Sequence, residues 1–103
     1  MYRHWIRQQV RYGQFREYME IAGAVVSARE KLGLGRPKLW APVVGAANEI
    51  VWELEYPDLA TFERENDAFY ADAEAMKSWR DLWQLAVEGS TSDELLQEAP
   101  DIA

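Results

Sequence analysis

Leu39-Trp40-Ala41-Pro42-Val43-Val44, then Gly45-Ala46-Ala47-Asn48, then Glu49-Ile50-Val51-Trp52-Glu53-Leu54-Glu55-Tyr56 is the stretch that decides the fold. An apolar run and an alternating run joined by a short Gly-containing connection read as a β-hairpin. Side chains alternate along a strand, so Ile50, Trp52, Leu54 and Tyr56 share one face and Glu49, Val51, Glu53 and Glu55 share the other. The first face belongs to a core. What covers the second, which carries carboxylates, is the main functional question.

Working outward toward the N-terminus, Tyr2–Val10 also alternates, with Arg3, Trp5 and Arg7 on one side and Tyr2, His4 and Ile6 on the other. This predicts a strand. After the turn Arg11-Tyr12-Gly13, the residues Phe15, Tyr18, Met19, Ala22, Val25, Val26 and Leu32 recur at spacings of three and four, the stripe of an amphipathic helix. Gly33 is its expected stop.

Toward the C-terminus, Asp58 is placed to cap a helix whose buried side is Leu59, Phe62, Phe69 and Tyr70, with Asn66 interrupting the stripe. Met76, Trp79, Leu82, Trp83 and Ala86 form a second helical run, with a break around Ala71–Glu74. Gly89-Ser90-Thr91-Ser92 ends it, Asp93–Ala99 reads as a short edge strand, and Pro100–Ala103 reads as a tail. The order β-α-β-β-α-β is the ferredoxin-like pattern: an α+β fold with a four-stranded antiparallel sheet, both helical segments on one face, and the first and third strands side by side. Arg3 and Arg7 then face Glu49, Glu53 and Glu55, where opposite charges favour pairing. The same face carries Trp5, Val51 and the neighbourhood of Trp40, and a second copy of the chain is its natural cover.

Composition narrows the function classes. The 103 residues suffice for one domain, residues 1–103, and nearly half are apolar, five of them tryptophan. The net charge is −7, unevenly spread: residues 1–40 hold eight Lys/Arg against three acids, and the remainder holds three against fifteen. Such a field repels phosphate, so neither nucleic acid nor an anionic membrane is an expected partner. The absence of cysteine excludes disulfides and thiolate metal sites. Met1-Tyr2-Arg3-His4-Trp5 leads into charged residues rather than an apolar signal core, and the longest weakly polar run, Ile21–Ala28, is far short of the roughly 20 residues that span a bilayer. The expectation is a cytoplasmic protein.

The arrangement resembles the dimeric α/β-barrel superfamily and, within it, looks most like NIPSNAP-type domains. The resemblance rests on Tyr12-Gly13-Gln14-Phe15-Arg16-Glu17-Tyr18, on Leu39-Trp40-Ala41-Pro42-Val43-Val44-Gly45, on Trp52-Glu53-Leu54-Glu55-Tyr56-Pro57-Asp58-Leu59-Ala60, and on the Trp79–Trp83 segment. It implies two ferredoxin-like chains packed sheet against sheet as a dimeric α+β barrel, with a small-molecule pocket between each sheet and its helices. The superfamily includes cofactor-free monooxygenases acting on aromatic polyketides, haem-degrading enzymes, isomerases and proteins without assigned activity. Fold does not choose among them.

The candidate chemistry is sparse. His4, the only histidine, is the one side chain that ordinarily titrates near neutrality. It is a candidate general base toward a phenolic or enolic substrate; the plainer reading is a satisfied core histidine. Trp40, Trp52, Trp79 and Trp83, with Phe69 and Tyr70, would surround a pocket for a flat apolar ligand or, more plainly, fill the core. Arg3 and Arg7 are candidates for holding a substrate carboxylate or a developing oxyanion, Arg7 as the anion stabiliser if His4 is the base, against structural pairing with the acids of the hairpin. Trp5, Arg3 and Glu53 are the expected dimer contacts. No ligand spacing points to a metal, and none is assigned; His4 alone, without an Asn/Trp constellation, argues against haem chemistry. The glycines of Leu32-Gly33-Leu34-Gly35-Arg36-Pro37 lack the lysine and spacing of a phosphate loop.

The reading is a homodimer that binds or transforms a hydrophobic or aromatic small molecule without a cofactor, as a monooxygenase or isomerase. The alternative is a non-catalytic interaction or assembly module whose aromatics are only core.

Overall fold

In the computed structural model, which describes residues 1–100, the order is β1 (Tyr2–Gln9), α1 (Phe15–Lys31), β2 (Lys38–Trp40), β3 (Glu49–Tyr56), α2 (Leu59–Ala71), α3 (Ala73–Trp83) and β4 (Ser92–Gln97). The strands form one antiparallel sheet in the order β2-β3-β1-β4, with β1 and β3 central. This is the ferredoxin-like α+β arrangement, with the β1–β3 register running from Tyr2 opposite Tyr56 to Gln9 opposite Glu49. The end of the proposed Pro100–Ala103 tail lies outside the described residues.

The hairpin departs from its sequence reading. β2 has only three residues, and the connection runs from Ala41 to Asn48. Pro42 lacks the amide hydrogen a ladder needs, and Val43 and Val44 project almost fully into solvent. β4 begins and ends slightly before the Asp93–Ala99 segment and lies on the free side of β1, as an edge strand.

The three helices bury their apolar stripes on one face of the sheet. Tyr18, Ala22 and Val25 of α1 meet Ile50 and Trp52 of β3, and Phe69, Ala75, Trp79 and Leu82 close the core from α2 and α3. The break between α2 and α3 falls at Asp72, whose extended backbone ends one helix and whose carboxylate accepts from the Ala75 amide at 2.8 Å to start the next. Asp58 caps α2 in the same way, through Thr61. The stop of α1 is a tight turn in which Gly33 takes φ +71°, a left-handed conformation that an L side chain resists.

The opposite face of the sheet has no helix on it. Arg3 meets Glu55 at 3.0 Å and Glu53 at 3.7 Å, Arg7 meets Glu49 at 3.4 Å and Glu94 at 3.6 Å, and Trp5 Nε1 donates to Glu53 Oε2 at 2.7 Å. The pairing expected between the basic side of β1 and the acidic side of β3 is therefore realised. Trp40 lies on the same face, opposite Val51 and half exposed.

Candidate functional site

Between the sheet and helices α2 and α3 lies a cavity of about 250 Å³. β1 brings His4 and Ile6 to it, β3 brings Leu54 and Tyr56, α2 brings Phe62 and Phe69, and α3 brings Trp79 and Trp83. The alternation of the two central strands thus aims one set of side chains into the cavity and sends the other to the bare face.

Its walls are rings set edge to face. Phe62 stands 5.5 Å from His4 and 5.3 Å from Tyr56, while Phe69 and Trp79 are 6.1 Å apart and Trp79 and Trp83 are 6.2 Å apart. These T-shaped contacts suit aromatic quadrupoles and fix the walls.

His4 is buried, with Nε2 3.5 Å from the Asp93 carboxylate at the cavity rim. Burial lowers its pKa below 6.5, Asp93 works the other way, and the positive charge of Arg29 adds to the lowering. The imidazole is therefore neutral at pH 7. With Nε2 facing a carboxylate, the proton resides on Nε2 and the lone pair on Nδ1.

The structure brings together His4, Phe69, Tyr70, Trp79 and Trp83. It does not bring Trp40, Trp52 or Arg7 to them. Trp40 is on the far side of the sheet, because β2 sends Leu39 toward the helices and its neighbours outward. Trp52 is core: 2% exposed, stacked edge-on with Trp79 at 5.6 Å, its Nε1 bonded to the Tyr18 hydroxyl. Arg7 is three residues from His4 on a strand, hence on the other face, where Trp5 and two carboxylates hold it. Arg3, Trp5 and Glu53 share that face.

Sequence reasoning passed over Arg29 and Glu65, and read Tyr56 only as part of the core face. Arg29 is 5% exposed, and its Nη2 donates to Glu65 at 3.3 Å. Its guanidinium carbon lies 5.6 Å from the Phe69 ring, a cation–π approach. The signal was present in the spacing: Tyr18, Ala22, Val25 and Arg29 continue one stripe. Among the described residues no cluster of three or more His, Cys, Asp or Glu could hold a metal, and no helix is long and apolar enough to cross a membrane.

No protein-family model and no curated protein sequence matches the chain. Solved structures do. A NIPSNAP family protein from Agrobacterium tumefaciens superimposes with TM-score 0.78 at 15% identity, over 95% of this chain and 92% of that one. An uncharacterised NIPSNAP domain protein from Burkholderia xenovorans gives 0.76 at 16% identity, over 98% and 100%. An antibiotic biosynthesis monooxygenase gives 0.75 at 12% identity, over 97% and 100%. The ferredoxin-like fold of this chain is the one that solved NIPSNAP family proteins and an antibiotic biosynthesis monooxygenase share.

Proposed function

We propose that the chain is a homodimeric small-molecule protein that takes a flat, largely hydrophobic ligand into the cavity between sheet and helices and, with His4 as base, transforms it without a cofactor. The observation that carries this reading is a ring-walled cavity with a neutral imidazole in it. An apolar cavity of about 150 Å³ holds benzene, so about 250 Å³ leaves room for a substituted ring.

The chemistry that fits is proton abstraction. A neutral His4 accepts a proton from a phenolic or enolic O–H, and Asp93 stabilises the imidazolium that forms. Return of the proton to a different atom completes an isomerisation; reaction of the resulting anion with dioxygen begins an oxygenation. The kinship of fold with an antibiotic biosynthesis monooxygenase supports the second.

Homodimerisation is supported by the bare sheet face, where Trp5, Trp40, Val51 and Leu96 lie among paired charges with no helix over them. A second reading, an assembly module without turnover, draws on Trp52, whose indole is wholly consumed by packing and one hydrogen bond.

Native mass spectrometry of protein from its own host, before and after denaturation, tests the proposal. A dimer carrying an extra mass that is released on denaturation is the expected result. A bare dimer, with no turnover of aromatic or enolic probes by the purified protein, moves the conclusion to the assembly module, and a monomer at micromolar concentration removes the barrel-type assembly.

A further inference from the structure

The cavity is lined by a buried cation, Arg29, and by a phenol beside it, Tyr56. Arg29 sits in the last turn of α1 with its side chain only 6% exposed. Its Nε donates to the Gly35 carbonyl at 2.8 Å and its Nη2 to Glu65 Oε1 at 3.3 Å. The space that Arg29 lines is the cavity.

Tyr56 lines the same space. Its hydroxyl lies beside the Arg29 guanidinium, which works against the upward push that burial gives the phenol both by its positive charge and by a side-chain hydrogen bond to the hydroxyl oxygen, leaving the O–H proton of Tyr56 to donate. Glu65 acts on the same phenol in the opposite sense, its negative charge adding to the upward push. Its Oε1 is held by the Gly35 amide at 2.8 Å as well as by Arg29, and it takes no part in the cavity wall. The ion pair is therefore oriented, with the cation turned to the cavity and the carboxylate turned to the loop after α1.

A buried guanidinium that holds a phenol by its oxygen, with the phenol O–H left to donate, selects a ligand that brings acceptor oxygens, and the positive charge favours an anionic one. We propose that the cavity binds a flat aromatic carboxylate, its ring among Phe62, Phe69 and Trp79 and its carboxylate on the Tyr56 hydroxyl beside the Arg29 guanidinium. This rests on the cavity being a ligand site, as proposed above, and adds the chemical class of the ligand.

The test compares trans-cinnamate with cinnamamide, nearly isosteric and differing in charge, by titration calorimetry and by the fluorescence of the cavity tryptophans. Cinnamate is expected to bind the wild-type protein at least about tenfold more tightly than the amide, the range of a hydrogen bond to a charged group. The paired variant Arg29→Gln/Glu65→Gln leaves no lone buried charge; it is expected to erase the preference while still binding cinnamamide. Tyr56→Phe, which keeps the ring and the ion pair, is expected to weaken cinnamate several-fold and serves if the double variant does not fold. Equal affinities for acid and amide in the wild-type protein overturn the anion site and leave an aromatic cavity standing. Binding of neither probe by any method overturns both the anion site and the ligand cavity beneath it.

Discussion

The indole of Trp52 donates to the Tyr18 hydroxyl at 2.8 Å, and the Tyr18 hydroxyl in turn donates to Gln8 Oε1 at 2.6 Å. Gln8 is itself fully buried and donates through Nε2 to Thr91 Oγ1 at 3.1 Å. One polar chain thus ties β3, α1, β1 and the segment before β4 through the centre of the core. Each member is satisfied only because the others are in place.

Tyr18→Phe is the sharpest probe of this chain. It leaves a buried indole N–H and a buried amide oxygen without partners, and is expected to cost about 1–3 kcal/mol of stability in a urea melt. The wild-type protein should also weaken in alkali. Burial pushes the Tyr18 pKa from 10 up to about 12, so above pH 10 the unfolded chain loses a proton that the folded chain keeps. Stability therefore falls as pH rises from 10 to about 12, and this part of the fall disappears in Tyr18→Phe.

His4 titrates in the opposite sense. Its folded pKa lies below 6.5, so on acidification the unfolded chain takes up a proton first and stability drops as pH falls through 6.5 toward the folded value. Because it is the only histidine, the imidazole protons in an NMR titration report it without ambiguity. Asp93→Asn removes the neighbour that raises the pKa and should move the midpoint still lower. An unmoved midpoint would dissociate Asp93 from His4.

The bare sheet face gives an assembly prediction. Trp40→Glu puts a charge beside Glu53 and Val51, on the face proposed to meet a second copy. Sedimentation velocity at micromolar concentration should show the wild-type chain at twice its mass and the variant at once its mass, with circular dichroism unchanged. A variant that sediments like the wild type would place any interface elsewhere.

Asp72 serves two helices at once, and Asp72→Ala removes the acceptor of the Ala75 amide. The expected loss is about 1 kcal/mol, read from thermal unfolding. Because α2 and α3 carry most of the aromatic wall, cavity-tryptophan fluorescence should shift along with it.

Much of this was legible in the chain. Strict alternation in Tyr2–Val10 and Glu49–Tyr56 gave the two faces of the sheet, and with them the ion pairs of Arg3 and Arg7, because period two leaves each side chain a single choice of side. The stop at Gly33 and the break near Asp72 were visible as punctuation. What was hidden depended on neighbours distant in sequence. Trp40 shares its type with the cavity tryptophans, but a three-residue strand sets its side by register, and no pattern in an apolar run with Pro42 in it reveals register. Arg29 sits between Ala28 and Glu30 near the end of a helix, where a charge usually meets water. The Gly35 carbonyl and Glu65, six and thirty-six residues away, together with the Phe69 ring, make its burial tolerable.

The shortness of β2 and the position of β4 have a further meaning for the sheet's two open rims. One rim has three residues, next to a proline that cannot donate; the other runs past Asp93 and Glu94 with Glu98 just beyond. A brief rim and an acidic one are poor templates for an incoming strand. Such rims disfavour edge-to-edge polymerisation of the chain into fibrils.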